Sequence, residues 1–165
     1  MNHRRSQIQA FTLIELILVL VIMSIVVALI GPRLGGFAVG QTTRNTATQI
    51  LAMTHYARTQ AITQGRTYRL NYDDAGNSFS LTADDGGTFT ALASDLGEQL
   101  TIPDGIQVAT DIPKQQTGQY IEFHPTGRTD PASIELTDRF GSKINIACSS
   151  ATELFRILSP GEAAR

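Results

Sequence analysis

At 165 residues the chain has room for one ordinary globular domain once any targeting or membrane segment is set aside. Its 13 Lys/Arg against 15 Asp/Glu argue against a general nucleic-acid surface, and the single cysteine, Cys148, rules out an intramolecular disulfide framework. The average hydrophobicity is ordinary only because the apolar residues are concentrated in the first 40 positions.

From Phe11 to Ile30 run twenty residues with one charge, Glu15, and only Thr12 and Ser24 as further polar interruptions. At ~1.5 Å rise per residue this is a helix of ~30 Å, the thickness of a bilayer core. The preceding ten residues carry Arg4 and Arg5 and no acid, so the positive-inside tendency holds this end in the cytoplasm and places the rest outside it. Residues 33–165 hold eleven Lys/Arg and fourteen Asp/Glu, a balance of −3, so the exported part is mildly acidic.

The apolar run ends at Gly31-Pro32, and Gly35, Gly36 and Gly40 each lower helix propensity by ~1 kcal/mol relative to alanine, which predicts a kink or weak segment. Helical spacing then resumes. Ala47, Ile50, Met53, Ala57 and Ala61 form one stripe, with Arg44, Gln49, Gln60 and Gln64 mostly away from it, predicting an amphipathic helix over 41–64 that ends at Gly65. Beyond Gly65, short β-branched and aromatic segments predict strands at 67–72, 78–83, 88–92, 99–102, 119–123, 133–137, 144–148 and 153–158. Turn chemistry at Asp74-Ala75-Gly76-Asn77, Asp85-Gly86-Gly87, Pro103-Asp104-Gly105 and Phe140-Gly141-Ser142 separates several of them, and 113–118 reads as an exposed loop. No helix-length crossover lies between the later strands, so pairing is expected to be antiparallel. The fold class is α+β: a long N-terminal hydrophobic and then amphipathic helix packed on an antiparallel sheet.

Glu15 is the most informative residue. A carboxylate inside an apolar span costs ~2.5 kcal/mol or more on insertion scales and needs either a partner or access to headgroups. The residues around it, Ala10-Phe11-Thr12-Leu13-Ile14-Glu15, resemble the prepilin signature of type IV pilins and type II secretion pseudopilins. That resemblance implies a prepilin peptidase that cuts between Ala10 and Phe11 on the cytoplasmic side and then methylates the new amino group of Phe11. It makes Glu15 the residue that pairs with a neighbouring subunit's terminal amine, and it makes Pro32 the stalk proline beside a segment that unwinds in assembled filaments. The family usually has glycine before the cut, where this chain has Ala10. An ordinary signal peptide cut near Ala38-Val39-Gly40 fits less well, because twenty apolar residues are too long for its central region and Glu15 is out of place there.

Further along, 57–66 (Ala-Arg-Thr-Gln-Ala-Ile-Thr-Gln-Gly-Arg) running into a strand, and Phe123-His124-Pro125-Thr126-Gly127-Arg128 between late strands, resemble the GspH/FimT-type minor pseudopilins. The implied organisation is a cytoplasmic leader (1–10), a transmembrane and assembly helix (11–31), a kink and amphipathic continuation (32–64), a β-rich domain (65–158) and a frayed tail (159–165). The implied role is a structural subunit of a type II secretion pseudopilus in the inner membrane with its domain in the periplasm. Other pilin or pseudopilin subunits, the prepilin peptidase and the membrane are the expected partners.

Competing chemistry has little support. His55, His124, Asp130 and Asp138 do not assemble into a hydrolytic pattern, and no nucleophile motif is present, so no enzyme activity is expected. Asp73, Asp74, Asn77, Asp84 and Asp85 offer oxygen ligands without EF-hand spacing and read as hairpin turns, so no metal or other cofactor is expected. Arg44, His55, Arg58, Arg66 and Arg69 raise the alternative of a DNA-receptor minor pilin. The domain is net acidic and the last strand is not followed by the paired terminal arginines of the DNA-binding relative, so a structural role for these bases is simpler.

Overall fold

The computed structural model describes residues 12–92, 99–112, 114–115 and 118–159, with the side chains of 29–38 and 114–115 outside that description. Helix α1 spans Leu13–Gln64, 52 residues. Gly65, at φ +67°, ends it with left-handed backbone that glycine adopts without a Cβ penalty, and its N–H still closes on the Ala61 carbonyl at 3.0 Å. The backbone is helical through 31–40, so the stretch around Pro32 continues the helix rather than interrupting it. Proline there removes one amide donor and the glycines only lower propensity, while the flanking turns remain bonded. The boundary between the chain's two compact units, Met1–Ala38 and Val39–Arg165, falls in this stretch.

In the first unit the large apolar side chains from Leu13 to Val27 are each 41–76 % exposed. Among the described residues no helix is long and apolar enough to cross a membrane; the described side chains of the apolar run are those of 12–28.

In the second unit α1 buries the five residues of the expected stripe, Ala47, Ile50, Met53, Ala57 and Ala61, each at most 3 % exposed. Thr43, Thr46 and Thr54 are buried beside them, and their hydroxyls donate back to the carbonyls of Val39 (3.1 Å), Thr42 (3.0 Å) and Leu51 (2.7 Å), which removes the penalty of an unpaired buried hydroxyl.

The strands are β1 (Tyr68–Asp73), β2 (Ser78–Asp85), β3 (Thr88–Ala91), β4 (Leu100–Thr101), β5 (Ile106–Asp111), β6 (Lys114–Gln115), β7 (Gly118–Phe123), β8 (Ala132–Asp138), β9 (Lys143–Cys148) and β10 (Arg156–Ile157). Every pairing is antiparallel, as expected, but the strands form two sheets rather than one: β3-β2-β1-β7-β6, with β4 also on β2, and β10-β9-β8-β5. Alternation along a strand fixes which face is buried and not which strand lies beside it, so the division is a non-local outcome. Leu70, Phe79, Leu81, Ile121 and Phe123 from the first sheet meet Ile106, Ile134, Leu136 and Ile146 from the second and the α1 stripe in one core.

Two strands were not expected. β5 alternates less exposed positions, Ile106, Val108 and Thr110, with exposed Gln107, Ala109 and Asp111, and pairs with β8 from Ile106↔Asp138 to Asp111↔Ser133. β6 lies within the segment read as an exposed loop and pairs Lys114↔Gln119 and Gln115↔Gly118. The last expected strand, 153–158, shortens to two paired residues, Arg156↔Ala147 and Ile157↔Ile146, because the carbonyls before them bond elsewhere.

Candidate functional site

The N-terminal site is built on the first turn of α1. Thr12 precedes the helix, and its Oγ1 accepts the Glu15 backbone N–H at 3.3 Å while its carbonyl accepts the same N–H at 3.1 Å. This is one arm of an N-capping box, Thr-x-x-Glu, which satisfies an amide with no partner of its own in the helix. The acidic side chain of Glu15 stands in that first turn, at the positive end of the helix dipole. Among the described residues its carboxylate meets no cation, and its apolar neighbours Leu13, Ile14 and Leu16 are 56–76 % exposed. Both the charge and the apolar surface are therefore left without a partner among them. Ala10 and Phe11 lie outside the described residues. Pro32 lies in helical backbone, and its side chain is also outside them. Sequence reasoning passed over Thr12, although Thr12-Leu13-Ile14-Glu15 ahead of an apolar run is the signal of such a cap.

The helix-to-sheet junction shows what the basic residues do. Arg58 Nη1 donates to the Glu153 carbonyl and Nη2 to the Thr152 carbonyl at 3.1 Å, while His55 Nε2 lies 3.0 Å from the Phe155 carbonyl. These contacts hold residues 152–155 as a strap along α1 and take the carbonyls that a longer terminal strand would have used. The strap then joins β9, where Leu158 N–H donates to the Asn145 carbonyl at 2.8 Å. Phe155 is buried, its ring centroid 6.2 Å from that of Phe123.

Beneath the strap lies the Phe-x-Pro-x-Gly segment. Gly127 N–H donates to the His124 carbonyl at 2.9 Å and His124 N–H to the Arg128 carbonyl at 2.8 Å, closing a tight turn. Gly127 is buried at φ +80°, left-handed backbone that favours glycine, and a Cβ there would stand at ordinary contact distance, 3.4 Å, from Ile62 Cδ1, so the turn lies against the last turns of α1. The two segments that resemble GspH/FimT-type proteins are thus one contact in space.

Arg69 on β1 is half-buried, bonded to Glu122 on β7 at 2.7 Å, with its guanidinium 3.4 Å from the Phe89 ring centroid and 4.0 Å from that of Tyr120. Arg66 donates to Gln64 Oε1 at 2.8 Å and to the Tyr68 hydroxyl at 3.3 Å. Four of the five bases behind the DNA-receptor alternative, His55, Arg58, Arg66 and Arg69, are therefore engaged within the domain, and nothing favours that alternative.

The acidic turns are internally satisfied: Asp73 Oδ1 accepts the Ala75 N–H at 3.1 Å and Asp84 Oδ1 the Gly87 N–H at 2.7 Å. Among the described residues no group of three His, Cys, Asp or Glu side chains is placed to hold a metal. His124 belongs to its turn and His55 to the strap, so neither is joined to a nucleophile. Asp138 Oδ1 accepts the N–H groups of Phe140 (2.8 Å) and Ser142 (2.9 Å); the Ser142 amide above all holds its carboxyl below the usual range, outweighing the opposing effect of burial. Cys148 is a buried free thiol whose Sγ donates to the Ser150 carbonyl at 3.1 Å, and burial pushes its pKa up, so it is a packing residue rather than a nucleophile.

Residues 46–152 match the family described as Type II transport protein GspH, and residues 5–31 match the prokaryotic N-terminal methylation motif. The chain belongs to the GspH family. No curated protein sequence matches it. Its fold is shared with the minor pseudopilin EpsH of the Vibrio cholerae type 2 secretion system, at 14 % identity and a TM-score of 0.62, covering 73 % of this chain and 98 % of that one. The type IV minor pilin FimU of Pseudomonas aeruginosa gives 14 % identity and 0.58 over 76 % of this chain and 95 % of that one. GspH of E. coli gives 14 % and 0.57 over 72 % and 88 %. At such identities the likeness establishes the α+β pilin-like fold; the family assignment rests on the GspH match.

Proposed function

We propose that this GspH-family chain is a minor pseudopilin that serves as a structural assembly subunit of a type II secretion pseudopilus and carries no enzyme activity of its own. The observation that carries the reading is that one chain joins an N-terminal methylation motif at 5–31 to a GspH domain at 46–152. Residues 1–10 then form the leader, the peptidase cuts between Ala10 and Phe11 and methylates Phe11, and residues 11–31 anchor the chain in the inner membrane with the domain in the periplasm. Pro32 begins the segment that links anchor to domain.

Glu15 supplies the assembly chemistry. Inside an apolar environment its carboxylate is costly until a cation meets it, and a neighbouring subunit's amine at Phe11 is such a cation. Thr12 fixes the helix start and thereby the turn from which Glu15 projects.

The test is Glu15→Leu in the full chain. Insertion and cleavage should persist, because the segment becomes more apolar, while crosslinking to partner subunits at equal membrane abundance should fall strongly. Undiminished crosslinking would remove Glu15 from the mechanism, and a mature chain starting near Gln41 instead of at an N-methylated Phe11 would refute the pseudopilin reading itself.

A further inference from the structure

A cleft of about 420 Å³ opens in the Val39–Arg165 unit where α1, β9 and β10 come together, lined by Arg44, Lys143, Ile144, Ile157, Leu158 and Ser159. Its walls are chemically divided. Ile144, Ile157 and Leu158 are apolar, while Arg44 and Lys143 bring two cations to the rim. Lys143 Nζ already lies 2.8 Å from Glu135 Oε1. Arg44 is exposed, and among the described residues its guanidinium has no hydrogen-bond or ion-pair partner, in contrast to Arg58, Arg66 and Arg69, which are all engaged.

Charge is unevenly distributed along the sequence. From Leu16 to Tyr72 there are five arginines and no Asp or Glu, whereas from Asp73 onward there are fourteen Asp/Glu and six Lys/Arg. Arg44 thus belongs to the acid-free stretch of the sequence, and Glu135 is held by Lys143.

We infer that this cleft docks an exposed acidic turn of a neighbouring pilin-like subunit, with a carboxylate on Arg44 and Lys143 and an adjoining apolar side chain against Ile144, Ile157 and Leu158. The inference rests on the reading of the chain as a filament subunit. The chemistry of the occupant is displayed by this fold itself: the β1–β2 turn presents Asp73 and Asp74, exposed, beside Tyr72, and neither has a cationic partner among the described residues. Hairpin turns select Asp, Asn and Gly for backbone reasons, so subunits built on antiparallel hairpins offer such turns at their surface. A cleft on one subunit and a turn on the next make a heterologous contact, the kind that propagates along a filament. With Lys143 already paired to Glu135, Arg44 is the uncompensated rim cation, which suits a carboxylate better than the run of phosphate contacts that DNA needs. Rim ion pairs each contribute little affinity, so the contact sets orientation and register while the N-terminal helix supplies the anchorage.

The test uses the full chain in its membrane together with its filament partners, with a photocrosslinking side chain in place of Ile157, which is partly exposed. The expected adduct maps to a peptide of a pilin-like subunit that contains a carboxylate pair. Arg44→Glu should lower its yield on the order of tenfold, because reversal replaces an attraction by a repulsion, while Arg44→Lys should retain most of it. Arg44 is exposed on α1, so neither variant should change the unfolding midpoint of the domain. An adduct that maps to a segment without carboxylates, no adduct at equal abundance, or a yield that ignores Arg44→Glu would each overturn the inference. If Glu15-dependent crosslinking persists in those cases, the filament reading stands and only the cleft assignment falls. If the chain enters no filament at all, both fall together.

Discussion

The two ends of α1 share one backbone conformation and treat apolar side chains in opposite ways. Between Leu13 and Val27 the large apolar residues are 41–76 % exposed, whereas Ala47, Ile50, Met53, Ala57 and Ala61 are at most 3 % exposed. The cause is the distribution of polarity around the helix. The first stretch is apolar nearly all round, so no single face can be paired with a sheet, and in the proposed function its surroundings are lipid or other helices. The second carries a single buried stripe, with Ala52 and Ile62 left exposed off it, and so closes the core of the domain. One helix thus belongs to two environments, with glycines and Pro32 between them.

The largest effect that could break this division is deletion of residues 1–38. The remaining chain should lose membrane retention completely and still unfold cooperatively, because every residue of the core lies beyond Val39. Loss of a cooperative transition would place the apolar run inside the core. Within the full chain, Ile50→Ala should destabilise the domain by about 2–5 kcal/mol, as truncation of a fully buried isoleucine does. The matching truncation Leu18→Ala, at a side chain 58 % exposed, should leave the urea midpoint of the domain unmoved. Equal effects of the two variants would erase the distinction.

A smaller effect sharpens where the grip of the domain on α1 ends. Gly127→Ala must adopt φ +80°, with its Cβ at ordinary contact distance, 3.4 Å, from Ile62 Cδ1. Left-handed backbone alone costs a non-glycine residue roughly 1–2 kcal/mol. The midpoint should fall accordingly, and the additional truncation Ile62→Ala should recover little, since the backbone dominates. Full recovery would assign the cost to the side-chain contact instead.

Much of this was legible in the sequence where information is local. The helical stripe, the stop at Gly65 and most strands follow from spacing and turn residues, and the GspH assignment from 57–66 and 123–128 agrees with the family match over 46–152. Other features depend on partners distant in the chain. β5 carries an alternating pattern, yet half of it is polar because it is an edge strand, and without β8 nothing local separates Ile106–Asp111 from a loop. The division into two sheets was equally hidden, since it depends on which strand lies beside which. The strap reads as a strand because Leu154, Phe155, Ile157 and Leu158 look like one, and only the reach of Arg58 and His55 across about a hundred positions diverts its carbonyls. At the N-terminus Glu15 stood out by its charge, whereas Thr12 was missed because an exposed threonine draws attention only when read together with the acid three positions on.

The smallest expected effect separates the two regions by pH. Asp138 caps the β8–β9 turn through the N–H groups of Phe140 and Ser142, and these bonds hold its carboxyl below the usual range in the folded state. A carboxyl with a depressed folded pKa contributes stability above its unfolded value of about 3.9 and loses it as pH falls through the folded value. Asp138→Asn keeps a side-chain oxygen that accepts the same two bonds and removes only the charge. The parent should therefore melt higher than the variant at neutral pH, and the gap should close as the pH is lowered below the ordinary carboxylate range. The shift should follow the domain alone, being the same with or without residues 1–38, because the Asp138 oxygen is held entirely by the turn that follows β8. Melting temperatures of both chains across that pH range decide the matter: a gap independent of pH would show that the turn amides do not favour the charged form, and a gap that widened on acidification would reverse the sign assigned to Asp138.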